Sequence, residues 1–178
     1  MRLVRFGGAM SLDGYIAGPN GEYDWIVMDP DIDFTEMQSQ FDTFLIGRKT
    51  FEAMAKMGSD GRSSPGIQNI VLSRTLKPGD YPHVTIESDA ERVVGELRAT
   101  PGKDIAIFGG GELFRSLLEA GLVDRVEVGL VPVLLGGGIP LLPPPASRAQ
   151  LKLRKQRVYE KTGTIGLEYD IVRRKART

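Results

Sequence analysis

The sequence predicts a single α/β domain of three layers, in which helices cover both faces of a mixed, mostly parallel sheet that ends in an antiparallel hairpin. Short apolar runs alternate with helical apolar patterns through most of the chain, which is typical of parallel strands joined by helices. The last two apolar runs, at 151–159 and 165–172, alternate with polar residues and predict the hairpin. A chain of 178 residues, 41% of them hydrophobic, needs only one core, so we expect one domain over 1–178.

The individual elements follow from the same patterns. The first buried strand spans 3–10 and leads into a loop with glycines at 14, 18 and 21, which is long enough to cover a site. A short helix is predicted over 34–41, with Asp33 as its N-cap and Glu36 completing a capping box. The other predicted strands span 43–46, 69–73, 84–87, 105–108 and 126–133, and further helices follow Gly47, span 89–99 and follow the glycines at 109–111.

The composition argues against several classes of partner and site. Lys plus Arg and Asp plus Glu both number 23, so no net charge attracts nucleic acid, and the basic cluster at 173–177 predicts a solvated tail. The chain has no cysteine and one histidine, which excludes disulfides and leaves no adequate ligand set for a transition metal. Without a long apolar run or a signal-peptide pattern, we expect a cytoplasmic protein that binds no membrane.

Three consecutive glycines, Gly109, Gly110 and Gly111, link a strand to a helix. They follow the apolar run at 105–108 and precede a helical apolar pattern. At such a turn the unpaired N–H groups of the first helical turn can hold an anion, and the missing side chains let a ligand approach the backbone. A phosphate group would fit, and a tight turn without a ligand is the alternative.

A second strand-to-helix junction lies at Gly47, where Arg48 and Lys49 stand beside the N-terminus of the next helix. A polyanion would also fit here, unless the two cations belong to an ordinary solvated face. If the two junctions end neighbouring parallel strands, they could bind the two ends of a dinucleotide pyrophosphate. A further strand ends in Ser73 and Arg74, a hydroxyl and a guanidinium that suit a monophosphate such as the 2′-phosphate of NADP.

Several segments, in the right order, resemble the dihydrofolate reductase superfamily, and more closely the reductase domain of the bifunctional riboflavin-biosynthesis deaminase-reductase. The matching segments are AMSLDGYIAG at position 9, IGRKTFEAM at 46, PGIQNIVLSR at 65, IFGGGELFRSLL at 107, GLVDRVEV at 121 and PVLLGGGIPLL at 132. The resemblance covers nearly the whole chain. It implies a dihydrofolate-reductase-like fold and an NADPH-dependent reductase whose cofactor lies across the carboxyl ends of the sheet.

The resemblance also implies a role for each cofactor-binding position. Ala9 and Ile16 would meet the nicotinamide carboxamide, and Ser73 and Arg74 would hold the 2′-phosphate. The phosphates would be held by Gly47, Arg48, Lys49 and Thr50, and the pyrophosphate and nicotinamide would be lined by Gly109, Gly110, Gly111, Glu112, Leu113 and Phe114. A cis peptide bond is expected between the first two of the three glycines.

The substrate side differs from dihydrofolate reductase. The arginine that binds the folate tail there is replaced by Ile67, and the threonine that supports the catalytic carboxylate falls at Gly129. The carboxylate itself aligns with Asp31, although Asp29 or Asp33 could take its place. We take Asp31 and Asp33 as candidates for substrate contact or proton supply, the alternative being an N-cap or surface aspartate. A small pyrimidine- or pterin-like ring is therefore favoured over folate.

The residues and the resemblance together predict hydride transfer from NADPH to a small substrate, of the 5-amino-6-(5-phosphoribosylamino)uracil reductase type in riboflavin biosynthesis. The alternatives are a stand-alone paralogue that reduces another substrate, such as dihydrofolate, and a non-catalytic NADPH-binding module. The apolar segment at 126–135 and the C-terminal hairpin could pair two subunits, so we expect a homodimer.

Overall fold

The structure is a computed structural model, and it describes residues 1–58, 61 and 65–172. The basic cluster at 173–177, which predicts a solvated tail, lies outside the described residues. Within them, no helix is both long enough and apolar enough to cross a membrane.

The described residues form ten strands and four helices. The strands are β1 (Val4–Ser11), β2 (Tyr15–Ala17), β3 (Phe41–Gly47), β4 (Gln68–Leu72), β5 (Thr85–Glu87), β6 (Asp104–Phe108), β7 (Arg125–Val131), β8 (Ile139–Pro140), β9 (Gln150–Tyr159) and β10 (Thr164–Val172). The helices are α1 (Phe34–Ser39), α2 (Arg48–Lys56), α3 (Ala90–Ala99) and α4 (Gly111–Glu119). Every predicted element is present, while the two short strands β2 and β8 are additions.

Eight of the strands form one sheet in the order β5-β4-β3-β6-β1-β7-β10-β9, and β2 pairs separately with β8. Neighbours from β5 to β7 run parallel, whereas β10 is antiparallel to both β7 and β9. Parallel neighbours need crossover connections. Helices supply them, except between β4 and β5, which are joined by the loop at 73–84. The predicted mixed, mostly parallel sheet with a C-terminal antiparallel hairpin is confirmed.

Helices cover both faces of this sheet, as predicted. On one face, α3 and α4 contribute buried residues to the larger core cluster, namely Val93, Val94, Phe114 and Leu117. On the opposite face, Phe51 of α2 is fully buried in a second cluster. Leu45 and Ile46, neighbours in β3, fall in different clusters because successive side chains of a strand point to opposite faces. The three layers are therefore helix, sheet and helix.

The helix α1 begins as predicted but ends earlier. Asp33 is its N-cap, and the Glu36 N–H donates to Asp33 Oδ1 at 2.8 Å. The predicted end at residue 41 is wrong, because the helix stops at Ser39 and Phe41 begins β3. The Arg5 guanidinium lies 4.6 Å from the centroid of the Phe41 ring, a cation–π contact that Phe41 makes from the strand.

The parallel strands bring the predicted cofactor residues to one edge of the sheet. Gly47 lies opposite Leu72 of β4, and Ile46 lies opposite Phe108 of β6. The turns that follow β4, β3 and β6 are therefore neighbours, as a shared ligand would require. The carboxyl ends of β1 and β7 and the start of β10 continue the same edge.

Candidate functional site

The two glycine junctions touch each other at this edge. A Cβ atom placed on Gly47 would lie 3.5 Å from the Gly109 carbonyl oxygen and 3.5 Å from Leu113 Cβ. Gly47 is the N-cap of α2 and Gly110 is the N-cap of α4, and neither offers a side-chain acceptor to its helix. The first-turn N–H groups of the two helices therefore lack side-chain caps at adjacent positions, which suits a ligand with two phosphate groups.

Two features of the junction at Gly109 require glycine. Gly109 and Gly110 have φ angles of 75° and 80°, in the left-handed region that favours glycine. A Cβ atom on Gly109 would also lie 2.6 Å from Thr50 Cγ2, in the first turn of α2. The peptide bond between Gly109 and Gly110 is trans, so the expected cis bond is wrong. Two consecutive left-handed residues make the turn instead.

The helix α4 leads from this turn into the core. A Cβ atom on Gly111 would lie 2.6 Å from the Pro140 carbonyl oxygen, so the segment around β8 closes over the start of α4. Phe114 is 3% exposed, and its ring centroid lies 4.3 Å from that of Phe6. Phe114 and Glu112 were both predicted to line the cofactor. The side chain of Phe114 packs in the core, whereas Glu112 is exposed.

The predicted basic residues on α2 are held in ion pairs. Arg48 Nη1 donates to Glu52 Oε1 at 3.0 Å, one helical turn away. Lys49 Nζ donates to Glu112 Oε1 at 3.2 Å, and both of these side chains are largely exposed. Surface pairs of this kind contribute little to stability, so a polyanion could replace either carboxylate partner at small cost.

The two residues after β4, Ser73 and Arg74, differ in their burial and in the hydrogen bonds that they already make. Ser73 is buried, and its Oγ accepts hydrogen bonds from the Thr75 and Leu76 N–H groups at 3.1 and 3.0 Å. This hydroxyl therefore orders the turn. Arg74 is exposed and makes no ion pair with any residue in the described ranges. Arg74 follows β4, the strand that pairs with β3 and its Gly47 junction.

Asp13 fixes the start of the long loop after β1. The Ser11 hydroxyl donates to Asp13 Oδ1 at 2.6 Å, and the Gly136 N–H donates to Asp13 Oδ2 at 2.8 Å. The bond from Ser11 and then the backbone bonds from Gly136 and Leu135 lower the pKa of Asp13 below its ordinary value. The loop continues into β2, whose pairing with β8 leaves Ile16 half-buried.

Ala9 belongs to a row of small residues that crosses the sheet near the same edge. Ala9 lies opposite Gly129 of β7, and Gly129 lies opposite Gly166 of β10. Gly7, on the same face of β1, is exposed. The Tyr159 ring borders the row, with Cε2 3.3 Å from the Cβ position of Gly166. The only side chain in the row is the methyl group of Ala9, so a planar ring could lie flat against it.

The buried carboxylate near the site is Asp29, not Asp31 or Asp33. Asp29 is 1% exposed and accepts hydrogen bonds from the Asp31 N–H at 2.9 Å and from the N–H and hydroxyl of Thr162 at 3.1 and 3.0 Å. Burial raises the pKa of Asp29, but these hydrogen bonds and the charge of Lys161 outweigh it and hold the pKa below its ordinary value. Asp29 thus ties the loop before α1 to the turn between β9 and β10.

The two predicted catalytic aspartates, Asp31 and Asp33, are exposed, and each already accepts a hydrogen bond within the chain. Asp31 Oδ1 accepts a hydrogen bond from Lys161 Nζ at 2.7 Å, and Asp33 caps α1. The sequence did not single out Thr162 as a partner of this region. No local pattern marks it, because the contact joins segments 133 residues apart.

We also searched the described residues for a metal site and for surface cavities. Within the described ranges, no group of three or more His, Cys, Asp and Glu residues is placed to hold a metal ion. Two surface cavities of about 360 and 330 Å³ lie at the opposite edge of the sheet, beside Gln150 and Gln68. Neither is lined by a predicted site residue, so the glycine edge is the candidate site.

Known proteins resemble this chain in sequence and in fold. The chain is 34% identical to the uncharacterized protein YyaP of Bacillus subtilis (strain 168) over an alignment of 171 residues, gaps included, and the alignment covers 90% of each protein. A crystal structure of a Shewanella sp. PV-4 protein, provisionally named as a riboflavin biosynthesis protein, superposes with a TM-score of 0.81 and 26% identity, covering 96% of this chain and 99% of that one.

Two more distant structures confirm the fold. A Thermotoga maritima diaminohydroxyphosphoribosylaminopyrimidine deaminase/5-amino-6-(5-phosphoribosylamino)uracil reductase gives a TM-score of 0.71 at 17% identity, covering 96% of this chain and 57% of that one. A dihydrofolate reductase from Enterococcus faecalis complexed with NADP(H) gives 0.70 at 19% identity, covering 95% and 96%. The RibD C-terminal domain family matches residues 2–165. The chain therefore belongs to the RibD C-terminal domain family, a family of reductases with the dihydrofolate-reductase-like fold.

Proposed function

We propose that this protein is an NADPH-dependent reductase that transfers a hydride to a small pyrimidine- or pterin-like substrate, of the 5-amino-6-(5-phosphoribosylamino)uracil reductase type. The observation that carries the proposal is the convergence of two glycine junctions and Arg74 on one edge of the sheet. Membership of a reductase family supports the class of reaction. Bound NADPH would supply the hydride from C4 of its nicotinamide ring.

The residues at the sheet edge fit the phosphates of a dinucleotide. Gly47 and Gly109 leave the backbone bare where α2 and α4 begin, and side chains there would contact the opposite junction. The first-turn N–H groups of both helices would bind the pyrophosphate. Arg74 would bind the 2′-phosphate, since a guanidinium can donate two hydrogen bonds to one phosphate group. The complex of Enterococcus dihydrofolate reductase with NADP(H) supports the choice of cofactor.

The row of small residues supports a planar substrate. Ala9, Gly129 and Gly166 form a flat surface beside the cofactor edge, bordered by the Tyr159 ring. A pyrimidine or pterin ring would stack on this surface, and the protein would orient it for hydride transfer. The homodimer and the cytoplasmic location expected from the sequence are compatible with this activity and are proposals as well.

We propose that water, not an aspartate, supplies the proton. Asp31 is bonded to Lys161, and Asp33 caps α1. Asp29 is buried and has a lowered pKa, so it stays ionised near neutral pH and is a poor proton donor. The same observation favours the second candidate function, a module that binds NADPH without catalysis.

The cofactor is tested by titrating the protein with NADPH and, in parallel, with NADH, using the fluorescence of the single tryptophan, Trp25. NADPH should bind more tightly because only NADPH carries the 2′-phosphate. Arg74→Ala should weaken NADPH binding by about 10- to 100-fold, the equivalent of a charge-assisted hydrogen bond, and leave NADH binding unchanged. Lys77→Ala removes an exposed cation from the same loop and is the matched control. Equal affinity for the two nucleotides would overturn the role of Arg74.

The substrate is tested separately, by expressing the gene in a riboflavin auxotroph that lacks the pyrimidine reductase. Growth without riboflavin would support the uracil reductase. Oxidation of NADPH in the presence of dihydrofolate, without rescue, would instead support a paralogue with another substrate. Tight NADPH binding with neither rescue nor turnover would favour the non-catalytic module.

A further inference from the structure

We propose that Arg157 binds the edge of the substrate ring and selects a ring carbonyl oxygen, as in a uracil, over a ring amino group, as in a pterin. This role rests on the proposed function, in which the ring stacks on the row of small residues. Pyrimidines and pterins are both planar and both fit a flat surface. The group at the end of the row therefore decides between these two classes of substrate.

The register of the sheet places Arg157 at the end of that row. Ala9 lies opposite Gly129, and Gly129 lies opposite Gly166. Gly166 in turn lies opposite Arg157 of the edge strand β9. Directly opposite residues of an antiparallel pair project to the same face, so the Arg157 side chain leaves the sheet on the side of the row. The three small residues span about 10 Å, because neighbouring strands lie about 5 Å apart, and this length suits one ring or two fused rings.

Two contacts hold the guanidinium group beside the row. Arg157 Cζ lies 4.7 Å from the centroid of the Tyr159 ring, a cation–π contact. The same ring borders the row, since its Cε2 atom lies 3.3 Å from the Cβ position of Gly166. Arg157 Nη2 also donates to the Asp31 carbonyl oxygen at 3.5 Å. The guanidinium group therefore contacts both the Tyr159 ring and the loop before α1.

Most of the donors of Arg157 are not used within the described part of the chain. A guanidinium group has five N–H donors and stays charged in proteins. The long bond to the Asp31 carbonyl oxygen uses one of them. Among the described residues, no carboxylate forms an ion pair with Arg157. The nearby Lys161 differs, because its Nζ donates to Asp31 Oδ1 at 2.7 Å. Of these two cations, Arg157 is the one with donors left for a ligand.

The carboxylates near the row are already bound by donors of the chain. They are Asp29, Asp31, Glu127 and Glu168. Asp29 is 1% exposed and bonded to Thr162, and Asp31 is bonded to Lys161. Both carboxylate oxygens of Glu127 accept hydrogen bonds from Arg5, at 2.6 and 2.8 Å. Glu168 Oε1 lies 3.7 Å from Lys155 Nζ. An amino group on the ring would have to displace one of these donors.

The hydrogen-bonding groups of the two rings then determine which of them Arg157 accepts. A uracil has two ring carbonyl oxygens, and each can accept a hydrogen bond from a guanidinium group. A pterin has an amino group in place of one of these carbonyls. This amino group would bring its own N–H donors against those of Arg157, and such a mismatch selects against the wrong ligand. The end of the row therefore favours a ring with two carbonyl groups.

The test uses lumazine and pterin, two fluorescent bicyclic rings of the same size. They differ in one group, because lumazine has a carbonyl where pterin has an amino group. Each ring is titrated into the full chain saturated with NADP⁺. The wild type should bind lumazine about tenfold more tightly than pterin, the lower end of the effect of a charge-assisted hydrogen bond, since Arg157 is exposed. Arg157→Met keeps an unbranched apolar side chain against Tyr159 and removes every donor, so it should bind the two rings equally.

Lys155→Met is the matched control. Lys155 is another exposed cation on the same face of β9, and it already pairs with Glu168. This variant loses the same charge as Arg157→Met but should keep the preference for lumazine. The circular dichroism spectrum and the dissociation constant for NADPH should be the same in the wild type and in both variants, which would show that the fold and the cofactor site are intact.

Three results would overturn this role of Arg157. Pterin binding that equals or exceeds lumazine binding in the wild type would show that the ring class is not selected in this way. A preference that survives Arg157→Met, or that Lys155→Met also abolishes, would assign it to another group or to the overall charge. Failure of both rings to bind would remove the ring from the row. The NADPH titration and the auxotroph test the proposed function separately, so the two proposals can fail independently.

Discussion

Gly109 combines a left-handed backbone with close contact to Thr50, and both constraints can be tested. Gly109→Ala should destabilise the protein by about 1–3 kcal/mol, because the new methyl group must strain the turn or displace the start of α2. The control is Gly121→Ala, where φ is 68° but a Cβ atom would meet nothing within 4 Å. Urea unfolding should show the larger loss for Gly109→Ala, and NADPH binding should weaken only in that variant. Equal losses would mean that the Thr50 contact is easily relieved.

The Asp29 carboxylate makes the fold sensitive to acid in a defined direction. Its pKa is lowered in the folded protein, so the ionised form stabilises the fold fully above the unfolded value of about 3.9. This stabilisation is lost as the pH falls through the lower, folded pKa. The difference in unfolding free energy between the wild type and Asp29→Asn should therefore be constant above about pH 4 and should narrow below it.

The partner of Asp29 supplies the control for this pH dependence. Thr162→Val removes the hydroxyl that donates to Asp29 at 3.0 Å and keeps the carboxylate. The pKa of Asp29 should move back toward its ordinary value, so the stability of Thr162→Val should change less with acid pH than that of the wild type. A difference between the wild type and Asp29→Asn that is the same at pH 3 and pH 7 would contradict the assignment.

These residues also show which parts of the site could be predicted from the sequence. Each glycine junction is a local pattern of an apolar run, glycine and helical periodicity, so Gly47 and Gly109 could be identified directly. The bond between Asp29 and Thr162 could not, because neither residue stands in a distinctive pattern and 133 residues separate them. The expected cis bond after Gly109 was wrong. Consecutive glycines can form a tight turn either through a cis bond or through positive φ angles, and the sequence of the turn does not distinguish these two conformations.

At the scale of elements, the helix α3 contains a glycine that no contact requires. Gly95 is exposed, and a Cβ atom there would meet nothing within 4 Å. Gly95→Ala should raise the unfolding free energy by about 0.5–1 kcal/mol, because glycine in a helix interior is that much less favourable than alanine. Denaturant unfolding at neutral pH measures the change, with Gly121→Ala as a variant expected to move in the opposite direction. A loss of stability in Gly95→Ala would contradict the prediction.

The elements that were predicted are those long enough to show a period. The helices at 48–56 and 111–119 and the buried strands were all evident from their apolar patterns. The strands β2 and β8 were missed because three and two residues carry no measurable period. The end of α1 was placed too late because Phe41 continues the apolar pattern of the helix, while its contacts with Arg5 and Phe44 belong to the sheet.

At the scale of the whole molecule, the strand order joins distant parts of the chain. The strand β1 lies between β6 and β7, and β3 lies between β4 and β6. Parallel pairing of β1 with β6 places Val4 beside Ile105, so the N-terminal segment completes the centre of the sheet. The chain cannot be cut into two consecutive halves without separating hydrogen-bonded neighbours.

This interleaving leads to a prediction for the single domain over 1–178. Unfolding by urea, at one protein concentration, should be one cooperative transition, because loss of β1 would expose both β6 and β7 and with them the larger core cluster. Far-UV circular dichroism follows the backbone, and near-UV circular dichroism follows the packing of aromatic residues such as Phe6 against Phe114. The two curves should coincide. Two separated transitions would contradict a single domain. The variant Phe6→Leu, which should destabilise the larger core cluster, would then reveal which transition belongs to the central strands.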